Sequence, residues 1–158
     1  MISLPTTDQI ILDCRRELIE TVLPAVSDPA VAVCIQMMEN VLRNTATRAA
    51  HEIAWMREEA AEMVSYAREV AAGLSAPGGG SSELAVALKA AETADTGSLH
   101  LADMVAAYSA AGEAFSCALE QAVAAGASDH VERGVEMLRR RTEREQEIKG
   151  DWAMIGRG

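Results

Sequence analysis

The densest group of side chains that could do chemistry lies near the middle of the longest helical stretch. It consists of Arg48, His51, Glu52 and Trp55, all within about two turns of one predicted helix. In a cleft of a helical bundle, these residues could transfer protons or orient a ligand. The alternative is a boundary of an amphipathic helix, with Trp55 covering the edge of the core and the charged groups in water. The sequence leaves both interpretations open.

None of the three histidines has the spacing of a helical metal site. Di-iron bundles place a glutamate three residues before a histidine, so that both side chains project from one face into the core. The residues at that offset are Arg48, Gly97 and Ala127. The metalloprotease pattern His-Glu-x-x-His fails at its last position, which is Trp55. We therefore predict neither a metal nor a cofactor.

The cysteines Cys14, Cys34 and Cys117 lie far apart, each inside a predicted helix. An odd, scattered set of cysteines is neither a disulfide framework nor a zinc site. We expect buried structural thiols in a reducing compartment.

Two further segments have a binding interpretation and a simpler alternative. The glycine-rich run at 77–82 precedes a helix N-terminus, which can bind phosphate. It lacks the lysine of a P-loop and follows no strand, so a flexible loop is the simpler interpretation. The arginines at 139–141 could bind an anionic partner, but interleaved glutamates are typical of a solvated helix.

The C-terminal tail carries three large apolar side chains, Trp152, Met154 and Ile155. Such residues at a chain end are unfavourable in water. We expect them to contact the rest of this chain, a second copy or another partner, and they are the candidate interaction residues.

One long helix must position these groups, because residues 29–73 contain no internal proline or glycine before Gly73. Asp28 is a good N-cap and Pro29 suits the first helical position. Apolar residues recur with a three-four alternation typical of helix packing, at Ile35, Leu42, Ala46, Ala49, Ile53, Met56, Ala60, Met63, Ala67, Val70 and Leu74. A helix of about 66 Å exceeds the roughly 40 Å diameter of a compact domain of this length. This favours a homodimer that buries the excess, with a kink near Asn44 or two helices as alternatives.

Four more helices are predicted around it, from Thr7 to about Val26, and at about 83–94, 99–125 and 129–149. Pro24 should unwind the end of the first helix. The fold class is all-α, an antiparallel bundle of about five helices on one long central helix. We predict one domain, residues 1–150, followed by a tail, residues 151–158.

Composition excludes several partners. Aromatic residues make up only 3% of the chain, which favours helices over sheets. A formal charge of −10 opposes binding to nucleic acid and to anionic membrane surfaces. The N-terminus has no signal-peptide pattern, and no apolar run is long enough to cross a membrane. We expect a cytoplasmic protein with no nucleic-acid or membrane partner.

A pattern over residues 8–60 is shared with a known family. It comprises an arginine-glutamate helix ending in Val-Leu-Pro-Ala at 22–25, then the step Asn40-Val41-Leu42, then Arg48 and Glu52 four residues apart. In these features the chain resembles an uncharacterised family of small bacterial helical proteins, typically encoded beside kinases of the aminoglycoside-phosphotransferase type. The resemblance implies an accessory protein to a neighbouring kinase or acyl-CoA pathway enzyme, and it carries no catalytic residues.

The leading functional hypothesis is a non-catalytic accessory or protein-interaction protein that acts through helical surfaces and the tail. It follows from the absence of a metal set, a phosphate loop and a nucleophile motif. The alternative is a small-molecule-binding bundle or acid–base enzyme that uses Arg48, His51, Glu52 and Trp55. A pocket of about 300 Å³ or more walled by these four side chains would favour the alternative.

Overall fold

The computed structural model describes residues 4–74 and 82–149, and this part of the chain contains helices and no strand. The α-helices are α1 (Thr7–Glu17), α2 (Pro29–Gly73), α3 (Ser82–Ala94), α4 (Leu101–Ala124) and α5 (Ser128–Lys149). The predicted all-α fold, built on one long central helix, is confirmed.

α1 begins where the sequence predicts and ends earlier. The Thr6 amide donates a hydrogen bond to Gln9 Oε1 at 2.9 Å, which satisfies one of the free N–H groups at the helix start. Regular α-helix stops at Glu17 and continues as a π-turn (Leu18–Val22) and a 3₁₀ turn (Leu23–Ala25). Pro24 lies in the 3₁₀ turn, where its missing N–H removes a donor. The unwinding predicted at Pro24 therefore spreads back by almost two turns.

α2 runs without interruption from Pro29 to Gly73. Asp28 Oδ1 accepts a hydrogen bond from the Ala30 amide at 2.8 Å, as expected of an N-cap. Asn44 lies inside the helix, so the alternative of two separate helices is wrong.

The described residues form two compact units, residues 4–52 with 143–149, and residues 53–74 with 82–142. The division into one domain, residues 1–150, and a tail stays a prediction.

The second unit holds a well-packed core around Tyr66. The Tyr66 ring lies 5.1 Å from the Phe115 ring, and its hydroxyl donates to the His130 carbonyl at 2.9 Å. Burial raises the pKa of Tyr66, so the phenol stays protonated and able to donate this bond. Alanines and medium apolar residues fill the remaining space: Met63, Ala67, Val70, Leu84, Ala87, Ala91, Ala111, Ala114, Ala118, Ala122 and Met137.

The first unit buries much less. Among its described residues only Ile35, Asn40 and Ala46 are buried. Arg15 Nε on α1 donates to Glu39 Oε1 on α2 at 2.5 Å and ties the two helices together. A unit with so few buried side chains has little apolar stabilisation of its own.

Two expectations about burial are wrong. Cys14 and Cys34 are exposed, and only Cys117 is partly buried. In the predicted apolar seam of α2, Ala49 and Ile53 are exposed as well. Helical spacing places these residues on one side of the helix, but it does not supply a neighbour to cover them.

Candidate functional site

Two residues of the predicted polar cluster, Arg48 and Glu52, form an ion pair. Arg48 Nε donates to Glu52 Oε1 at 3.0 Å, and Arg48 Nη2 contacts the same oxygen. Such pairs, one turn apart on an exposed helix, contribute about 0.3–0.5 kcal/mol. The two charges therefore interact with each other on the surface of the helix, as expected for the boundary of an amphipathic helix.

His51 lies on the exposed surface of the first unit. Nearby, a hydrogen bond from the Thr6 side chain lowers the pKa of Asp8. Trp55 is half-buried and belongs to the second unit. Both cavities described below are lined by other residues. The acid–base role of the four residues stays a hypothesis.

The candidate interaction residues Trp152, Met154 and Ile155 lie outside the described residues, as does most of the glycine-rich run at 77–82. Their predicted roles stay predictions.

The most distinctive surface is an apolar face near the start of α2. Seven exposed residues form it, and we call this set the open face: Ala30, Val31, Val33, Cys34, Met37, Met38 and Val41. The five large side chains among them are 41–56% exposed. With about 100° between successive residues, these positions span roughly 160° of the helix surface. Between residues 30 and 41 no polar side chain projects into this sector.

The opposite side of the same segment is already packed within the first unit. Ile35 is buried there, and Glu39 meets Arg15 of α1. Asn40 is also buried, and its Oδ1 accepts a hydrogen bond from Arg43 Nη2 at 2.9 Å. A helix that is apolar on nearly all sides is normally covered on all sides. Here the first unit covers one side only.

The second unit contains a cavity of about 650 Å³ between α2, α3 and α4. Its walls are mainly small or flexible apolar side chains: Ala60, Ala61, Val64, Ala91, Met104, Ala107 and Ala111. Four charged residues complete the lining: Arg57, Arg68, Glu92 and Asp95. This volume falls within the range of about 300–1,000 Å³ that is typical of small-molecule pockets.

A second, much smaller cavity of about 20 Å³ lies beside Met63 and Phe115. At its edge the Tyr108 hydroxyl donates to Glu59 Oε2 at 2.6 Å, and the Arg141 guanidinium lies 5.4 Å from the centre of the Tyr108 ring. A space of this size holds about one water molecule. The contacts therefore join α2, α4 and α5 structurally.

Sequence reasoning missed both the open face and the larger cavity. The open face had a local signal, because Gln36 is the only polar residue between Pro29 and Glu39. The cavity had no such signal in the sequence. Its charged residues come from α2, from α3 and from the segment that follows α3, so no spacing in the sequence links Arg57 to Asp95.

Comparison with protein-family models, curated proteins and solved structures finds no match for this chain. Within residues 4–74 and 82–149, no group of three or more His, Cys, Asp or Glu side chains is placed to hold a metal ion. No helix in the same part of the chain is long and apolar enough to cross a membrane.

Proposed function

We propose that this chain is a non-catalytic protein-interaction protein, and that the open face of α2 is its interface with a second copy of itself. The observation that carries the proposal is the open face: a charge-free apolar sector on a helix whose other side is already packed. Contiguous exposed apolar surface of this kind marks interaction sites in water-soluble proteins.

A second copy fits the open face because the whole face is apolar and uncharged. Each chain carries a formal charge of −10, which opposes self-association elsewhere, but no charge interrupts this sector. The small residues Ala30 and Cys34 lie between larger ones and let two helices approach closely. An antiparallel pair of α2 helices with its twofold axis at Met37 would place Val33 of each copy against Val41 of the other.

The free energy gained by covering the open face is sufficient for a dimer, but it exceeds the cost of association so little that a small change in the face matters. Full burial of a Val or Met side chain contributes about 1.5–3 kcal/mol, and the five large residues are about half exposed. Covering them contributes about 4–7 kcal/mol per copy, hence about 8–14 kcal/mol per dimer. Association costs about 4–15 kcal/mol. A single charge placed in the face should therefore dissociate the dimer.

The test compares two neighbouring positions on α2. Met37→Glu places a carboxylate at the centre of the open face, whereas Gln36→Glu places the same charge on the adjacent exposed side of the helix. We expect Met37→Glu to raise the dissociation constant of the dimer at least about tenfold, because two buried, unpaired carboxylates would meet near the axis. Gln36→Glu should leave it nearly unchanged. Sedimentation equilibrium measures both variants, with circular dichroism to verify that each is folded.

Removal of residues 151–158 tests whether the tail or a second copy covers the open face. If the tail covers the open face, its deletion should increase the reactivity of Cys34 towards a thiol reagent. If a second copy covers it, Cys34 should stay protected in the truncated dimer while Cys14 reacts freely. An equal effect of Met37→Glu and Gln36→Glu would contradict the proposal.

The cellular setting is part of the same proposal. Two exposed free thiols, Cys14 and Cys34, suit the reducing bacterial cytoplasm. An accessory role beside a kinase or acyl-CoA pathway enzyme is supported by the sequence resemblance alone.

A further inference from the structure

The larger cavity of the second unit has a charge pattern that selects one kind of ligand. Arg68 Nε donates to Glu92 Oε1 at 2.9 Å, so this pair is already neutralised. Asp95 Oδ1 accepts a hydrogen bond from the Gly97 amide at 3.1 Å. Within the described residues, the side chain of Arg57 makes no hydrogen bond and no ion pair. Arg57 is therefore the positively charged lining residue that is free to bind a ligand.

The middle of the cavity, between its charged ends, is suited to an apolar chain. Arg57 and Arg68 are eleven residues apart on α2, which corresponds to about 16 Å along the helix. Between them the helix presents Ala60, Ala61 and Val64 to the cavity. α4 contributes Met104, Ala107 and Ala111, so the middle of the cavity is apolar on two sides.

We propose that this cavity binds an amphipathic monocarboxylate, an alkyl or aryl chain that ends in one carboxylate, and that Arg57 holds the carboxylate. The inference is independent of the proposed dimer, because every lining residue belongs to the second unit and none lies on the open face.

The charged residues of the lining favour a ligand that carries a single negative charge. A guanidinium presents paired N–H donors that match a carboxylate in geometry and charge. A dianion such as a phosphate monoester would bring a second negative charge, which the carboxylate of Asp95 would repel. A cationic ligand would face the unpaired guanidinium of Arg57.

Three probes with the same ten-carbon chain separate these cases: decanoate, decanol and decyltrimethylammonium. Isothermal titration calorimetry at neutral pH measures their binding to the full chain. We expect decanoate to bind about tenfold or more tightly than either of the other two, as expected for a charge-assisted hydrogen bond. Equal affinities for the three probes, or no binding of decanoate, would overturn the proposal.

Two variants and a control locate the site. Arg57→Gln should weaken decanoate binding about tenfold and leave decanol binding unchanged, because it removes the ionic contact alone. Ala61→Leu should weaken both probes, since it fills the cavity from an exposed helix position that tolerates leucine. Arg139→Gln removes an arginine outside the cavity and should change neither. If Arg139→Gln weakens decanoate binding as much as Arg57→Gln does, general electrostatic attraction explains the binding and the proposed site is wrong.

Discussion

Gly112 and Gly134 both lie inside helices, yet the same substitution should change stability in opposite directions at the two positions. A Cβ atom built on Gly134 of α5 would lie 2.7 Å from Leu119 Cδ1 and 3.0 Å from the Tyr66 hydroxyl. A Cβ atom on Gly112 of α4 would have no neighbour within 4 Å among the described residues. The two substitutions therefore distinguish the effect of helix propensity on stability from the effect of core packing.

The expected magnitudes follow from these contacts. Replacing glycine by alanine inside a helix contributes about 0.8–1 kcal/mol of stability where nothing clashes, so Gly112→Ala should stabilise the chain by about that amount. At Gly134, overpacking costs about 1–3 kcal/mol. Displacement of the Tyr66 hydroxyl from the His130 carbonyl costs about 1 kcal/mol more. The net effect of Gly134→Ala should be a loss of about 1–3 kcal/mol.

Urea denaturation followed by far-ultraviolet circular dichroism measures both variants against the unmodified chain. We expect Gly112→Ala to raise the urea midpoint and Gly134→Ala to lower it, with similar slopes. If Gly134→Ala stabilises the chain as much as Gly112→Ala does, Leu119 moves aside freely and the core around Tyr66 is looser than its contacts indicate.

Two further predictions concern titration. A hydrogen bond from Arg133 holds the pKa of Glu69 below its ordinary value of 4.5, so this ion pair stabilises the fold above that pH and is lost as the pH falls through the lowered pKa. Glu69→Gln should therefore lower the melting temperature at neutral pH and have little effect in acid, and an equal effect at both would contradict the reasoning. Burial, with help from Glu113 and Glu120, raises the pKa of Cys117, so its thiol should be alkylated more slowly than that of exposed Cys14. Mass spectrometry measures both rates, and similar rates in the folded chain would show that Cys117 is accessible.

Local signals in the sequence were sufficient for the bounds of α2. Asp28 and Pro29 act through their own backbone geometry, which does not depend on distant residues, and Gly73 is the last residue of the helix without adopting a left-handed φ. Burial depends on neighbours, and this is where the predictions diverge from the structure. Ala49 and Ile53 have the correct spacing for the apolar seam of α2, yet both are exposed. Periodicity identifies which residues share a face but not whether another helix covers it.

The candidate sites also differ in whether local sequence was sufficient to predict them. The Arg48–Glu52 pair could be predicted because residues four apart on a helix are always neighbours. The cavity around Arg57 could not be, since it depends on how α3 and α4 pack against α2. The open face lies between these cases. Its apolar composition is visible in the sequence, but only the fold shows that Ile35 is turned inward while Met37 is exposed.

The most direct test of the proposed interface is the mass of the purified chain in solution, measured by light scattering on a size-exclusion column over a wide range of concentration. If a second copy covers the open face, the mass should approach twice the 16.8 kDa of one chain as the concentration rises. A mass that stays at 16.8 kDa at every concentration, with Cys34 as reactive as Cys14, would contradict the account.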